Sequence, residues 1–218
     1  MAGDEGVAKW IAETLQNDQR FKSVSAVGAG YIEIVRKDHA PFTAAAIGIR
    51  EVVLPGHVAP LFSGGRSPQF VVNVPSKVIW SGGAIGIIHD APAAFGTLGE
   101  LTRAARDEIV SSYRHREYKF FERAFEQHGA VREVTRLYDK IFQLHRYRGL
   151  KDITVVLVDA YDMSAEDVRN ARELYGRFDA AIKISSYGSI TTAAREAAAS
   201  MGAEALKFGD LMGRLNKP

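Results

Sequence analysis

Three places in this 218-residue chain put polar or charged side chains where they could act on a ligand. The stretch from Thr97 to Arg148 interleaves cations with rings: Arg114, Arg116 and Lys119 sit among Tyr113, Tyr118, Phe120 and Phe121. Lys and Arg hold phosphates while exposed rings stack on bases, although rings at helical spacing equally make a core with a solvated charged face. In Ser63-Gly-Gly-Arg66 the backbone N–H groups and the Arg66 guanidinium could take an anion. The same residues also read as a surface loop with a solvated arginine. Finally, Asp159 and Asp162 follow an apolar run, and Ser185, Ser186 and Ser189 precede a helix. Strand ends of α/β proteins bind ligands and helix N-termini take phosphate, but turn and capping roles account for these residues too.

Other chemistries are excluded or unsupported. The absence of cysteine removes disulfides, thiolate metal sites and a cysteine nucleophile. His39, His57, His89, His115, His128 and His145 show no HxxxH spacing, so zinc is not expected. No nucleophile elbow, Walker loop or GxGxxG occurs. With 46% hydrophobic and 25% charged residues the chain has enough apolar mass for one or two cores. A net charge of +2 permits a nucleic-acid partner without arguing for one. The start, MAGDEG, is acidic and no apolar run approaches the ~20 residues of a membrane helix, so no signal peptide and no membrane are expected. A cytoplasmic protein is the default expectation.

The elements that must position these groups are clearest in the last third. Ile153 to Val158 is a short apolar run suited to a strand buried on both faces. Ser164 and Asp167 open a helix as a capping box, Ala180 to Ile184 is the next strand, and an alanine-faced helix ends at Gly202. A short strand in AEALKF and a closing helix complete the series. At the other end, Val7, Trp10, Ile11 and Leu15 mark a first helix, followed by strands near Val24 to Val27, Tyr31 to Val35 and Thr43 to Ile49. The proline-rich segment Pro55 to Pro75 reads as an irregular loop around a strand at Phe70 to Val74. Thr97 and Glu100 form a capping box that opens a long helical region broken near His128 and Gly129. Sliding the chain by 110 residues pairs Val74 with Ile184, Ala84 with Ala194 and Leu101 with Leu211. Duplication and ordinary α/β likeness both remain open on so few identities.

Two stretches carry a family resemblance. ISSYGSITTAAREAAASMGAEALKFGDLMGRL is similar to the closing pattern of Mrr-type restriction endonucleases of the PD-(D/E)xK superfamily. The N-terminal order resembles their catalytic core: helix, strand, a glycine-introduced acidic strand, then a parallel-running partner. The resemblance implies a central sheet holding an acid on one strand and an E/Q-x-K on the next, with Mg²⁺ on the carboxylates. Glu33 takes the place of the acid, and the E/Q-x-K position falls on Gly48-Ile49-Arg50. Glycine cannot ligate a metal and an always-protonated arginine cannot be a base, so the implied cleavage centre is degenerate. Glu13 or Glu51 would have to supply a second carboxylate. A second resemblance, to nucleotide phosphoribohydrolases of the "lonely guy" type, rests on Phe95-Gly-Thr-Leu-Gly-Glu100, where the preceding glycine pair of their motif is replaced by alanine and proline.

The expectation is therefore an α/β or α+β protein with a central mixed β-sheet flanked by helices, restriction-endonuclease-like, in one compact domain. Residues 1–96 form a β-rich half, 97–151 a helical insertion and 152–218 a βαβαβα half. Its function is expected to be DNA association with Arg66, Arg114, Arg116 and Lys119 on phosphates. Catalysis at Glu33 and Arg50, with Mg²⁺ on Glu13 and Glu33, is expected only if the protein cuts. The alternatives are a small-molecule or nucleotide site near Asp159 and Ser185, and a homodimer formed through the aromatic helices.

Overall fold

Two alanine- and valine-rich runs, residues 42–47 and 153–158, are buried on both of their faces, and each becomes the centre of a sheet. The computed structural model describes residues 3–147 and 149–217, which divide into two units, 1–115 and 116–218. The first runs α1 (Glu5–Leu15), β1 (Phe21–Gly28), β2 (Tyr31–Arg36), β3 (Phe42–Ile47), β4 (Val52–Val53), α2 (Pro55–Val58), β5 (Phe70–Asn73), β6 (Ile79–Trp80), α3 (Gly82–Asp90), β7 (Ala94–Gly96) and α4 (Leu98–Ala104). The second runs α5 (Arg116–Glu126), β8 (Val131–Tyr138), β9 (Ile141–Arg146), β10 (Ile153–Val158), α6 (Ala165–Tyr175), β11 (Ala180–Lys183), α7 (Thr192–Ser200), β12 (Glu204–Lys207) and α8 (Phe208–Arg214). Both are α/β with mixed sheets. No helix among the described residues is long and apolar enough to cross a membrane.

The sheets have the same order, β1-β2-β3-β5-β7 and β8-β9-β10-β11-β12. In each, the first two pairings are antiparallel and the last two parallel. Successive side chains point to opposite faces. Ala44 and Ala46 therefore pack with α1 and α4, while Ala45 and Ile47 pack with α2 and α3. Likewise Val155 and Leu157 join α5 and α8, while Val156 and Val158 join α6 and α7.

The likeness extends to register at an offset of 110 residues, or 111 across the central strands β3 and β10. Phe21 pairs with Arg36 as Val131 pairs with Arg146, with β-bulges at the matching places. The β4–β6 pair Val53–Trp80 corresponds to an isolated parallel bridge between Met163 and Ile190. The polar anchors repeat as well. The Gln69 side chain accepts from Thr43 N at 2.8 Å, and the Asp179 carboxylate accepts from Thr154 N at 2.7 Å. Arg36, 4% exposed, donates to the carbonyls of Ala40 and Ala105, at 2.7 and 3.2 Å. Arg146, 5% exposed, donates to those of Lys151, Leu215 and Lys217, at 2.6, 3.1 and 2.6 Å. The chain is a structural repeat.

This corrects three expectations. The helical insertion at 97–151 is not one: α4 ends at Ala104, and residues 131–146 are the antiparallel pair β8–β9, which opens the second copy. Arg148, the end of that expected region, lies outside the described residues. Secondly, β1, β2 and β3 form the meander that their short connections indicate and not the parallel partner that the resemblance implies, because a five-residue turn permits a hairpin and a parallel partner needs a long crossover. Thirdly, Pro55–Phe62 is a short helix and a 3₁₀ turn that bury Val58 and Leu61 completely.

Replacing either repeated arginine strands buried carbonyls as well as losing their donor. Arg36→Ala and Arg146→Ala should each destabilise by on the order of 3 kcal/mol. Hydrogen exchange should show the loss of amide protection in that arginine's own unit.

Candidate functional site

The second unit contains a cavity of about 540 Å³ at the C-terminal ends of β11 and β12, with the first turns of α5 and α8 beside it. That is the end of a parallel sheet where α/β proteins take ligands, and the volume suits a small molecule. Three cations line it, Arg116, Lys183 and Lys207, against one carboxylate, Glu117. Ser185 and Ser186 add hydroxyls, and Phe120, Phe121 and Phe208 form an aromatic wall. The Phe120 and Phe121 rings each lie 5.3 Å from that of Phe208, and Phe120 remains 55% exposed.

Each cation is positioned by the local fold. Lys183 ends an apolar strand and is 2% exposed. Its ammonium donates to the carbonyls of Ser185 (2.7 Å) and Tyr187, so one of its three N–H bonds remains for another acceptor. Arg116 is the first residue of α5, whose Phe121 and Phe125 are buried against the sheet. Arg136 on β8 fixes the same helix from below: its guanidinium lies 3.7 Å from Glu122 and donates to Asp139 O at 2.7 Å. Burial holds the Arg136 pKa below its usual value, opposed chiefly by Glu122. Lys207 lies between β12 and α8, where its N–H donates to Asp210 at 3.4 Å.

The loop after Lys183 is braced from the other side. Asp162 accepts from Ser189 through its N–H at 2.7 Å and its hydroxyl at 2.8 Å, and these bonds hold the Asp162 carboxyl below the usual carboxylate range. Gly188, at φ +75°, passes so close to Tyr161 that a Cβ would lie 2.0 Å from its carbonyl oxygen. Only glycine fits there.

The residues expected to bind or catalyse are dispersed. Arg116 and Ser185 do meet in this cavity. Lys119 is exposed on α5, and Asp159 is exposed beyond β10. Arg114 donates to the carbonyls of Ala93, Ser111 and Tyr113 at 2.7–3.3 Å, which occupies it structurally. Arg66 is packed 4.6 Å over the Tyr31 ring and donates to Gly28 O, tying its turn to the β1–β2 hairpin.

Glu33 lies opposite Thr43 on β3, seven residues before Arg50. At ~3.3 Å per strand residue, β3 has run about 13 Å past that point when it ends at Ile47, and Arg50 lies beyond the strand. Ile32 and Ile34 pack on the α1 side, so Glu33 faces the opposite side of the sheet from the helix that carries Glu13. The Mg²⁺ that the resemblance implies does not fit these residues. Among the described residues no three His, Asp or Glu side chains gather to hold a metal ion.

Lys183, Lys207, Phe208 and Glu117 were not expected from the sequence. The available signal was a lysine closing each of two successive short strands, AAIK and EALK. Comparison of the chain with family models, curated proteins and solved structures finds no match.

The Asp162 brace has a pH signature. Its folded pKa lies below the unfolded value of about 4, so its contribution is full above that value and disappears as the pH falls through the lowered one. The Tm gap between wild type and Asp162→Ala should be steady from about pH 7 to 5 and close towards pH 3. A gap that widens in acid would contradict this.

Proposed function

We propose that the protein associates with nucleic acid without cutting it, and that the second unit carries the contact. The observation behind this reading is that the first unit builds the same sheet without a cation at any of the equivalent places. At the equivalent places the first unit has Gly6, Asn73 and Thr97, yet it builds the same sheet in the same register. Asn73 even repeats the backbone role of Lys183: its amide donates to Pro75 O, as the ammonium donates to Ser185 O. What the second unit adds is positive charge, beside exposed Phe120 and close to exposed Lys119. Charge and rings together suit a polymer of phosphates and bases.

The restriction-endonuclease resemblance is compatible with this function. The order helix, strand, strand, strand that carries it occurs in both units. Within that resemblance the protein is a non-cutting relative, because Glu33 and Arg50 stand far apart and neither Gly48 nor Arg50 can replace a ligand or a base. A second reading, a site for a free nucleotide, is favoured by the modest volume of the cavity.

Binding of labelled oligonucleotides at two salt concentrations, with Mg²⁺ or Mn²⁺ added to parallel samples, tests the proposal. Affinity should fall steeply with salt as counterions are released, with no cleavage. Arg116→Gln and Lys207→Gln should each lower the slope of log K against log salt by roughly 0.7–0.9. No binding at low salt, or cleavage lost in Glu33→Ala, would overturn it.

A further inference from the structure

We infer that the second unit's cavity receives one unstacked nucleotide, so that the protein selects single strands and strand ends over paired duplex. The inference rests on the nucleic-acid reading above and specifies its substrate.

The argument begins with the wall. Phe120, Phe121 and Phe208 pack on one another at 5.3–5.4 Å between ring centres, two of the three contacts being near-perpendicular. Phe121 is buried, which holds the set rigid, while Phe120 is 55% exposed. An exposed ring on a fixed support offers a stacking face that any base can use. Bases in a duplex are stacked above and below and present only their edges to a groove, so a base reaches such a face only after leaving the stack. A base at a strand end or in a single strand is already free to do so.

The cations fit the other half of the same ligand. Arg116 and Lys207 flank the cavity from α5 and from the β12–α8 junction, and Lys183 has a free N–H beneath. Ser186 can donate its hydroxyl hydrogen to a phosphate oxygen, whereas that of Ser185 already goes to Tyr187 O at 3.2 Å. A half-open cavity of about 540 Å³ is of a size to take one nucleotide. The first unit again serves as the internal contrast: its exposed Trp10 stands at the Phe120 position but has no cation at any of the three equivalent places.

The experiment compares a fluorescent oligothymidylate with a hairpin duplex lacking single-stranded ends, using the full chain at one low salt concentration. The single strand should bind at least tenfold more tightly. Phe120→Ala, which removes an exposed ring, should weaken the single strand about tenfold and leave the duplex within twofold. Lys207→Gln should weaken both. Equal or tighter binding of the duplex overturns the inference, as does an unchanged single-strand affinity in Phe120→Ala, and either result leaves nucleic-acid association standing. Failure of both probes to bind overturns that association as well.

Discussion

Each unit is closed by one buried arginine. The last residue of the second strand sends its guanidinium to the strand-connecting turn and to the carbonyls at the end of the final helix, from Arg36 in the first unit and Arg146 in the second. Those carbonyls belong to the unpaired C-terminal turn of a helix and need donors. An arginine can serve several at once because its five N–H bonds form a fixed fork. The bond joins the antiparallel side of each sheet to the chain that follows its last parallel strand. Burial lowers the pKa of both arginines, but they remain charged. The interactions are shared by two sequences with little identity, which marks them as requirements of the architecture.

The same comparison separates structure from function inside one molecule. Side chains that recur at the offset of 110 residues anchor the sheet: Arg36 with Arg146, Gln69 with Asp179, and the N-caps Ser81 with Thr191. The charged lining of the second cavity does not recur. A buried lysine is costly unless its ammonium is hydrogen-bonded, and in the first unit asparagine makes one of the two equivalent backbone bonds, to Pro75 O, without a charge. Lys183 meets that condition through the carbonyls of Ser185 and Tyr187, so its charge is tolerated by the fold, while the first unit builds the same strand end with a neutral side chain.

Much of the fold was legible because its signals are local. The runs at 153–158 and 180–183 and the Ser164–Asp167 and Thr97–Glu100 boxes all appear where their residues indicate. The stretch 131–146 misled because β8 is an edge strand, and edge strands carry charges that discourage pairing with other chains. Arg132, Glu133 and Arg136 dilute its alternation, and the mixture of cations and rings of the preceding helix continues through it in composition alone. The repeat itself was faint because burial constrains size and polarity more than identity: Phe21 is matched by Val131, and Ile32 by Phe142. The cavity was least legible. Its lysines close apolar strands, and only the topology brings them to α5.

The most direct measurement gives the second unit the first unit's residues. A variant carrying Arg116→Gly, Lys183→Asn and Lys207→Thr should unfold cooperatively within a few degrees of the wild-type Tm, since the first unit folds with that set. It should lose its affinity for single-stranded oligonucleotide by at least tenfold at low salt. A folded variant that binds as the wild type does would contradict the account, and so would a variant that fails to fold, because the cations would then belong to the architecture.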